Sequence, residues 1–324
     1  MKYIISDNGG GIGNRIKGLI SILRLSKELD RKPLLYWPKN VLMGCDFKEL
    51  FDFNVEEIND EELNRIKEEE DFDFYRDWLD NIYVKNDYLI IQCWRFLMKK
   101  GEIRKKFAKV YPTMKGNNID FEFERIPLGI AGNIVKDLRK LKPSKEIMER
   151  VEKFDEEEKV NEMIGIHLRR TDFNKSPDGR GNISTDDLFV ERIEEIIKKN
   201  PKQKFFVCTD SPETEKDLKE KFGESIVVFP KTNWIMSSKE ASKDSLTDLL
   251  LLSKTKKILG TYLSTFTEIA WWLGGCKAKV EIIGEEKIKD TEKVIKHLRK
   301  KEKGIHGLYK KIKILKHNLN NNNS

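Results

Sequence analysis

Ile164-Gly165-Ile166-His167-Leu168-Arg169-Arg170-Thr171-Asp172 is a short apolar run that ends in an imidazole, two guanidiniums and a carboxylate. A strand of a parallel sheet is buried on both faces and reads as a continuous hydrophobic run, and such sheets bind ligands beyond the carboxyl ends of their strands. The stretch therefore predicts a central strand that delivers a polar tip into a cleft. Two adjacent arginines suit an anionic ligand there, because the guanidinium stays charged at any working pH and its fork of donors matches phosphate oxygens. On a rigid strand end it can neutralise a leaving diphosphate. The structural alternative is an ion pair of Arg170 with Asp172 that closes the strand.

Working outward, the residues from Met163 onward alternate regularly. Strand 163–168 is followed by helix 186–199, strand 205–208, helix 212–222, strand 226–229, helix 245–253, strand 257–260, helix 265–273 and strand 280–283. This alternation implies βαβ units and a parallel sheet covered on both faces, a Rossmann-like domain. Polar residues collect at its strand ends: Thr209-Asp210-Ser211 after the second strand, and Thr261, Ser264 and Thr265 after Ile258-Leu259-Gly260. Thr209-Asp210-Ser211-Pro212 also has the form of a turn and helix cap, and Ser264-Thr265 that of a cap. Hydroxyls and amides that open a helix suit a phosphate equally well.

The first half begins with the strand Tyr3-Ile4-Ile5, the loop Gly9-Gly10-Gly11-Ile12-Gly13-Asn14-Arg15, and a helix with Ile16, Leu19, Ile20, Leu23, Leu25 and Leu29 on its apolar face. Glycines let backbone approach a ligand and helix-start amides favour an anion, although a tight turn explains the loop as simply. It lacks the Lys-Ser/Thr of a P-loop and the full dinucleotide fingerprint. Further strands fall at Lys32–Pro38 and Leu89–Ile91, a helical turn at Cys45–Phe51, and helices at Ile134–Leu141 and Ile147–Phe154. Asp71-Phe72-Asp73 has the spacing of a metal-binding Asp-x-Asp but reads as a solvated acidic segment. Trp94, Phe96, Leu97 and Phe107 read as core, with an acceptor groove as the alternative. Asp155–Lys159 reads as a linker, which divides the chain into a first domain at 1–158, a second at 159–292 and a basic tail at 293–324 with a disordered Asn-rich end.

With 324 residues, 38% of them hydrophobic, the chain can bury two cores. Its +7 charge is a small surplus of 62 basic over 55 acidic residues, which suits a nucleotide and requires no nucleic acid. The lysine-rich tail reads as a solvated helix, with weak contact to an anionic membrane surface as the alternative. The four cysteines form no C-x-x-C pair, so neither a zinc site nor a disulfide framework is indicated. No apolar run reaches the ~20 residues that span a bilayer, and Met1 leads directly into a strand. The expectation is a cytoplasmic protein.

His167-Leu168-Arg169-Arg170-Thr171-Asp172 resembles the His-x-Arg-Arg-x-Asp signature of the metal-independent α1,6-, α1,2- and protein O-fucosyltransferase superfamily, and within it the α1,6 branch. The loop ending Gly13-Asn14-Arg15 is similar to the first-domain loop of that superfamily. Asp244–Ser253 followed by Gly260–Phe266 is similar to its last donor-site motif, so the likeness runs from about residue 8 to 275. The resemblance implies an α/β protein of GT-B architecture, two facing Rossmann-like domains with the acceptor on the side of the first and the donor held mainly by the second. It implies inverting transfer of fucose from GDP-fucose to a glycan hydroxyl, with no metal and no cofactor besides the donor. By position, Arg169 would stabilise charge on the β-phosphate with help from Arg170, and Asn14, Arg15, His167, Asp210, Asp248, Ser264 and Thr265 would contact the donor. One departure stands out. The α1,6 branch has a lysine after the motif's aspartate and a glutamate further on, whereas here Phe173-Asn174-Lys175-Ser176-Pro177-Asp178 follows. The catalytic base is therefore assigned to Asp178, with Asp172 as the alternative. Two rival readings keep the same arginines: a GT-B transferase for another nucleotide sugar, and a nonenzymatic nucleotide- or nucleic-acid-binding protein.

Overall fold

The computed structural model describes residues 1–75, 84–92, 96–97, 126, 128–171 and 180–284. The chain opens with β1 (Tyr3–Asp7), α1 (Ile12–Leu29), β2 (Lys32–Tyr36), α2 (Phe47–Leu50), β3 (Phe51–Asp52), β4 (Glu56–Ile58), α3 (Asp60–Glu69), β5 (Phe72–Tyr75) and β6 (Tyr88–Ile91). Four of these strands flank β1 in a parallel sheet of order β4-β2-β1-β6-β5. Ile4, Ile5, Leu89 and Ile90 are fully buried, as expected of strands with helices on both faces.

After α4 (Leu128–Lys140), β7 (Lys142–Pro143) pairs antiparallel with β3, and α5 (Lys145–Glu158) leads into β8 (Ile164–Leu168). Then come α6 (Asp186–Lys199), β9 (Phe205–Thr209), α7 (Pro212–Phe222), β10 (Ile226–Val227), α8 (Lys239–Lys254), β11 (Lys257–Gly260), α9 (Thr265–Leu273) and β12 (Lys279–Ile282). The second sheet is also parallel, in the order β10-β9-β8-β11-β12. β8 lies at its centre with all five residues buried, and Gly260 at the end of β11 pairs with His167. Each sheet reverses its winding beside its first strand, β1 or β8, and such reversals open the crevices where α/β sheets bind ligands.

Three sequence expectations need correction. Asp155–Glu158 is the last turn of α5 rather than a linker: Asp155 accepts from the Val160 amide at 3.1 Å and from Lys254 at 2.9 Å. Phe154 on this helix packs against Phe206 and Phe229, so α5 is seated on the second sheet. Asp71–Asp73 is not simply a solvated segment. Phe72–Tyr75 forms edge strand β5, and Asp73 accepts from the Asn86 amide at 3.0 Å. Helix α8 begins at Lys239, six residues earlier than its apolar run, because Ser238 accepts from the Ala241 amide and caps it. Phe96 and Leu97 are core residues, Phe96 meeting the Trp272 ring edge-on at 5.4 Å. Trp94, Phe107, Cys93, Asp172, Asp178 and the tail at 293–324 lie outside the described residues. Among the described residues, no helix is long and apolar enough to cross a membrane.

The two sheets are joined through helices. A Cβ on Gly13 of α1 would lie 2.9 Å from the Thr265 carbonyl oxygen of α9, so only glycine permits this approach. One turn on, Lys17 and Glu268 form a buried ion pair between the same helices. Further along the seam, the Gly44 amide donates to Ser242 at 2.8 Å.

Candidate functional site

A cavity of about 460 Å³ lies between the carboxyl edges of the two sheets, within the size range of small-molecule sites. From the first sheet it is lined by the β1 exit (Asn8 to Asn14), Leu42 and Met43, and Gln92 beyond β6. The second sheet contributes the exits of β8, β9, β10 and β11 together with one face of α8.

Two helices begin on this cavity. Helix α1 starts after Gly11, which has no side chain to cap it, and its first turn contains no acidic residue. Helix α9 starts after Ser264, whose hydroxyl makes no capping bond. Uncapped first-turn amides and the positive end of the helix dipole favour an anion. Residues Gly11–Asn14 and Ser264–Phe266 all line the cavity, so both helix starts face the same space.

Arg169 also lines the cavity. Its amide donates to Thr261 Oγ1 at 3.0 Å, and that hydroxyl donates to the His167 carbonyl at 2.9 Å, tying the exits of β8 and β11 together. Its guanidinium lies 3.2 Å from Asp210 Oδ2. Asp210 meanwhile accepts from the amides of Arg170 at 2.7 Å and Thr171 at 3.2 Å, and from the Thr171 hydroxyl at 2.5 Å. Asp210 therefore fixes the loop backbone as well as its arginine.

Arg170 turns away from the cavity. It is 4% exposed, Nε donates to Asp186 at 2.7 Å, Nη1 donates to the Ser184 carbonyl at 2.9 Å, and the guanidinium lies over Phe189. Its ion-pair partner is thus at the start of α6. Arg15 does not line the cavity either. It is buried beneath the glycine loop, donating from Nε to the Gly10 carbonyl at 2.6 Å and lying 5.0 Å over Trp37. Both outer nitrogens lack hydrogen-bond partners, and burial lowers its pKa to about 10.

His167 lines the cavity from the last turn of β8. It stacks on Phe266 at 4.6 Å, and Nδ1 is 2.9 Å from Thr267 Oγ1. Burial, together with Arg169 and Arg170, holds its pKa well below the usual range, so the ring is neutral. That fits a positioning role and does not supply a cation. Asn14, Asp210, Asp248, Ser264 and Thr265 share the cavity with it. Among the described residues, no three His, Cys, Asp or Glu side chains come together in a way that could hold a metal ion.

Sequence reading missed Lys231, Trp234 and Asp244, all of which line this space. Lys231 Nζ is 3.0 Å from Asp248 Oδ2, 3.6 Å from Glu215 Oε2 and 5.1 Å from the Trp234 ring centre. Burial opposes its charge, but its neighbours, Asp248 foremost, more than offset this, and the ammonium is stabilised. Burial raises the Asp248 carboxyl to about 6 against the pull of Lys231. Pro230-Lys231-Thr232-Asn233-Trp234 directly follows the strand expected at 226–229, so strand-end logic could have found it. Asp244 contacts Arg150 at 3.1 Å, and burial raises its pKa.

Two facing parallel-sheet domains with a ligand-sized cavity between their carboxyl edges define the GT-B fold class. The structure of NodZ α-1,6-fucosyltransferase soaked with GDP-fucose matches with a TM-score of 0.54 and 15% identity, over 84% of this chain and 93% of that one. Fucosyltransferase NodZ from Bradyrhizobium matches with a TM-score of 0.52 and 16% identity, over 83% and 93%. A mutant of Arabidopsis thaliana FUT1 in complex with GDP matches with a TM-score of 0.51 and 17% identity, over 85% and 68%. The shared property at these identities is the fold. No protein-family model and no curated protein matches the sequence.

Proposed function

We propose that this chain is an inverting glycosyltransferase that transfers fucose from GDP-fucose to a glycan hydroxyl. The observation that carries the reading is the convergence of one strand-end guanidinium, Arg169, and two uncapped helix starts on a single cavity. Such a convergence suits a diphosphate, and the fold is shared with fucosyltransferases solved with GDP-fucose or GDP.

In the proposed reaction the acceptor oxygen attacks the anomeric carbon as its proton passes to a base. The bond from that carbon to the β-phosphate oxygen breaks, and GDP leaves with the electron pair. Arg169 stabilises the charge that builds on the β-phosphate, and the Ser264 hydroxyl and the Thr265 amide add donors at the start of α9. Asp210 holds Arg169 in place. Neutral His167 supports the loop through Thr267. The base is assigned to Asp178, or alternatively Asp172. Donor charge is handled by side chains and amides without a metal, and the protein works in the cytoplasm.

Calorimetric titration of GDP, UDP and ADP into wild type and Arg169→Ala, with EDTA present, tests the assignment. GDP is expected to bind selectively and to lose about 100-fold in affinity in the variant. No preference for GDP, or an unchanged affinity in Arg169→Ala, would overturn the assignment. Loss of binding in EDTA would overturn its metal independence.

A further inference from the structure

The cavity extends well beyond the diphosphate groups. The loop from β10 to α8 brings both Met236, 4.0 Å from Arg169, and Lys231 to the lining. Around Lys231 the lining has an unusual composition: an ammonium and a carboxylate side by side, with an indole against them.

The pair is close but not mutually satisfied. Lys231 Nζ is ion-paired with Asp248 Oδ2 at 3.0 Å and Glu215 Oε2 at 3.6 Å, whereas Asp248 Oδ1 has no hydrogen-bond partner. Both side chains are more than nine-tenths buried, at 7% and 4% exposure. Buried polar groups left unpaired are costly, and in a cavity lining they point to a ligand that completes them.

We propose that Lys231 is a specificity-determining residue which, beside Asp248 and Trp234, reads the edge of the nucleobase and selects oxo bases over amino bases. This rests on the reading of the cavity as a nucleoside-diphosphate site. An ammonium can only donate and an ionised carboxylate can only accept. Side by side they match an edge that presents a carbonyl oxygen next to an N–H, as guanine and uracil do. Adenine and cytosine present an amino group where the ammonium sits. Two donors then face each other and both lose their partners, an arrangement that discriminates far more strongly than a missing methylene does. Trp234 offers a flat face for stacking, which tolerates any base.

The test is titration of GDP, UDP, ADP, CDP and pyrophosphate into the full chain and into Lys231→Met and Lys231→Arg. Wild type is expected to favour the oxo pair at least tenfold. In Lys231→Met that ratio should fall about tenfold through weaker oxo binding, with pyrophosphate unchanged, and Lys231→Arg should keep most of it. An unchanged ratio in Lys231→Met would overturn the inference. So would parallel loss of pyrophosphate, which would make the lysine a structural counter-ion, or a wild type that binds pyrophosphate without distinguishing bases. A preference for UDP over GDP would sink the fucosyl assignment while leaving this inference standing.

Discussion

The two sheet edges meet across one cavity but are made of different material. Among the described residues, the first edge lines it with glycines, Asn8, Ile12, Asn14, Leu42, Met43 and Gln92, none of them ionisable. Every ionisable lining side chain, from His167, Arg169 and Asp210 to Lys231, Asp244 and Asp248, belongs to the second edge. Even Arg15, the one cation of the glycine loop, is folded underneath it. One domain therefore offers backbone and close approach, and the other offers charge. The division explains why the glycine loop needs neither a lysine nor a full fingerprint to take part.

The sharpest challenge to this picture is within the second edge, where two neighbouring arginines have opposite roles. Arg170 holds α6 and the Ser184 carbonyl to the strand end, and the methionine of Arg170→Met can do neither. The loss should cost about 3 kcal/mol, near the lower end for a broken buried pair because Asp186 stays half in water. We expect a fall of several degrees in Tm with GDP affinity within a few-fold of wild type, the reverse of Arg169→Ala. A variant with normal Tm and lost affinity would place Arg170 in the ligand site.

A smaller effect should come from the first edge. Gly13→Ala would push a methyl against the Thr265 carbonyl and hydroxyl, both 2.9 Å away, and part the two helix starts. Overpacking of this kind costs about 1–3 kcal/mol, and GDP affinity should drop about tenfold. Gly132→Ala is the control: nothing lies within 4 Å of its Cβ on α4, so it should gain about 1 kcal/mol of stability without touching affinity. Equal affinities in the two variants would mean that the glycine loop is only a turn.

How legible these features were in the sequence follows from the same contrast. The second sheet was readable because its strands are continuous apolar runs: 257–260, and helices 186–199, 212–222 and 265–273, have the bounds the periodicity predicts. In the first domain, β4 is three residues long with two exposed glutamates, and α3 is mostly charged with only Leu63 and Ile66 apolar, so neither raises an apolar period above its acidic surroundings. Arg169 was legible as a strand-end cation. That Arg170 faces inward was not, since neighbours on an irregular exit have no fixed alternation. Lys231 escaped because an isolated lysine in a loop looks solvated until Asp248, seventeen residues on, is brought against it.

His167 gives the finest test of how the charged edge is insulated. Burial first, then Arg169 and Arg170, hold its imidazole well below its unfolded value near 6.5. The native state therefore excludes a proton that the unfolded chain takes up. The contribution is fully present above pH 6.5 and is lost as pH falls from there, at up to about 1.4 kcal/mol per pH unit. Asp248 works in the opposite sense below about pH 6, since its raised carboxyl takes up a proton in the native state first. Only a difference between two proteins isolates the histidine. Urea midpoints of wild type and His167→Gln at pH 7.5, 6.5 and 5.5 supply it: glutamine can still meet Thr267, so the curves should lie closest in slope above pH 6.5 and diverge below it, the variant losing less. Parallel curves throughout would mean that the His167 pKa is the same folded and unfolded, and the second edge would then gain a cation below about pH 6.5.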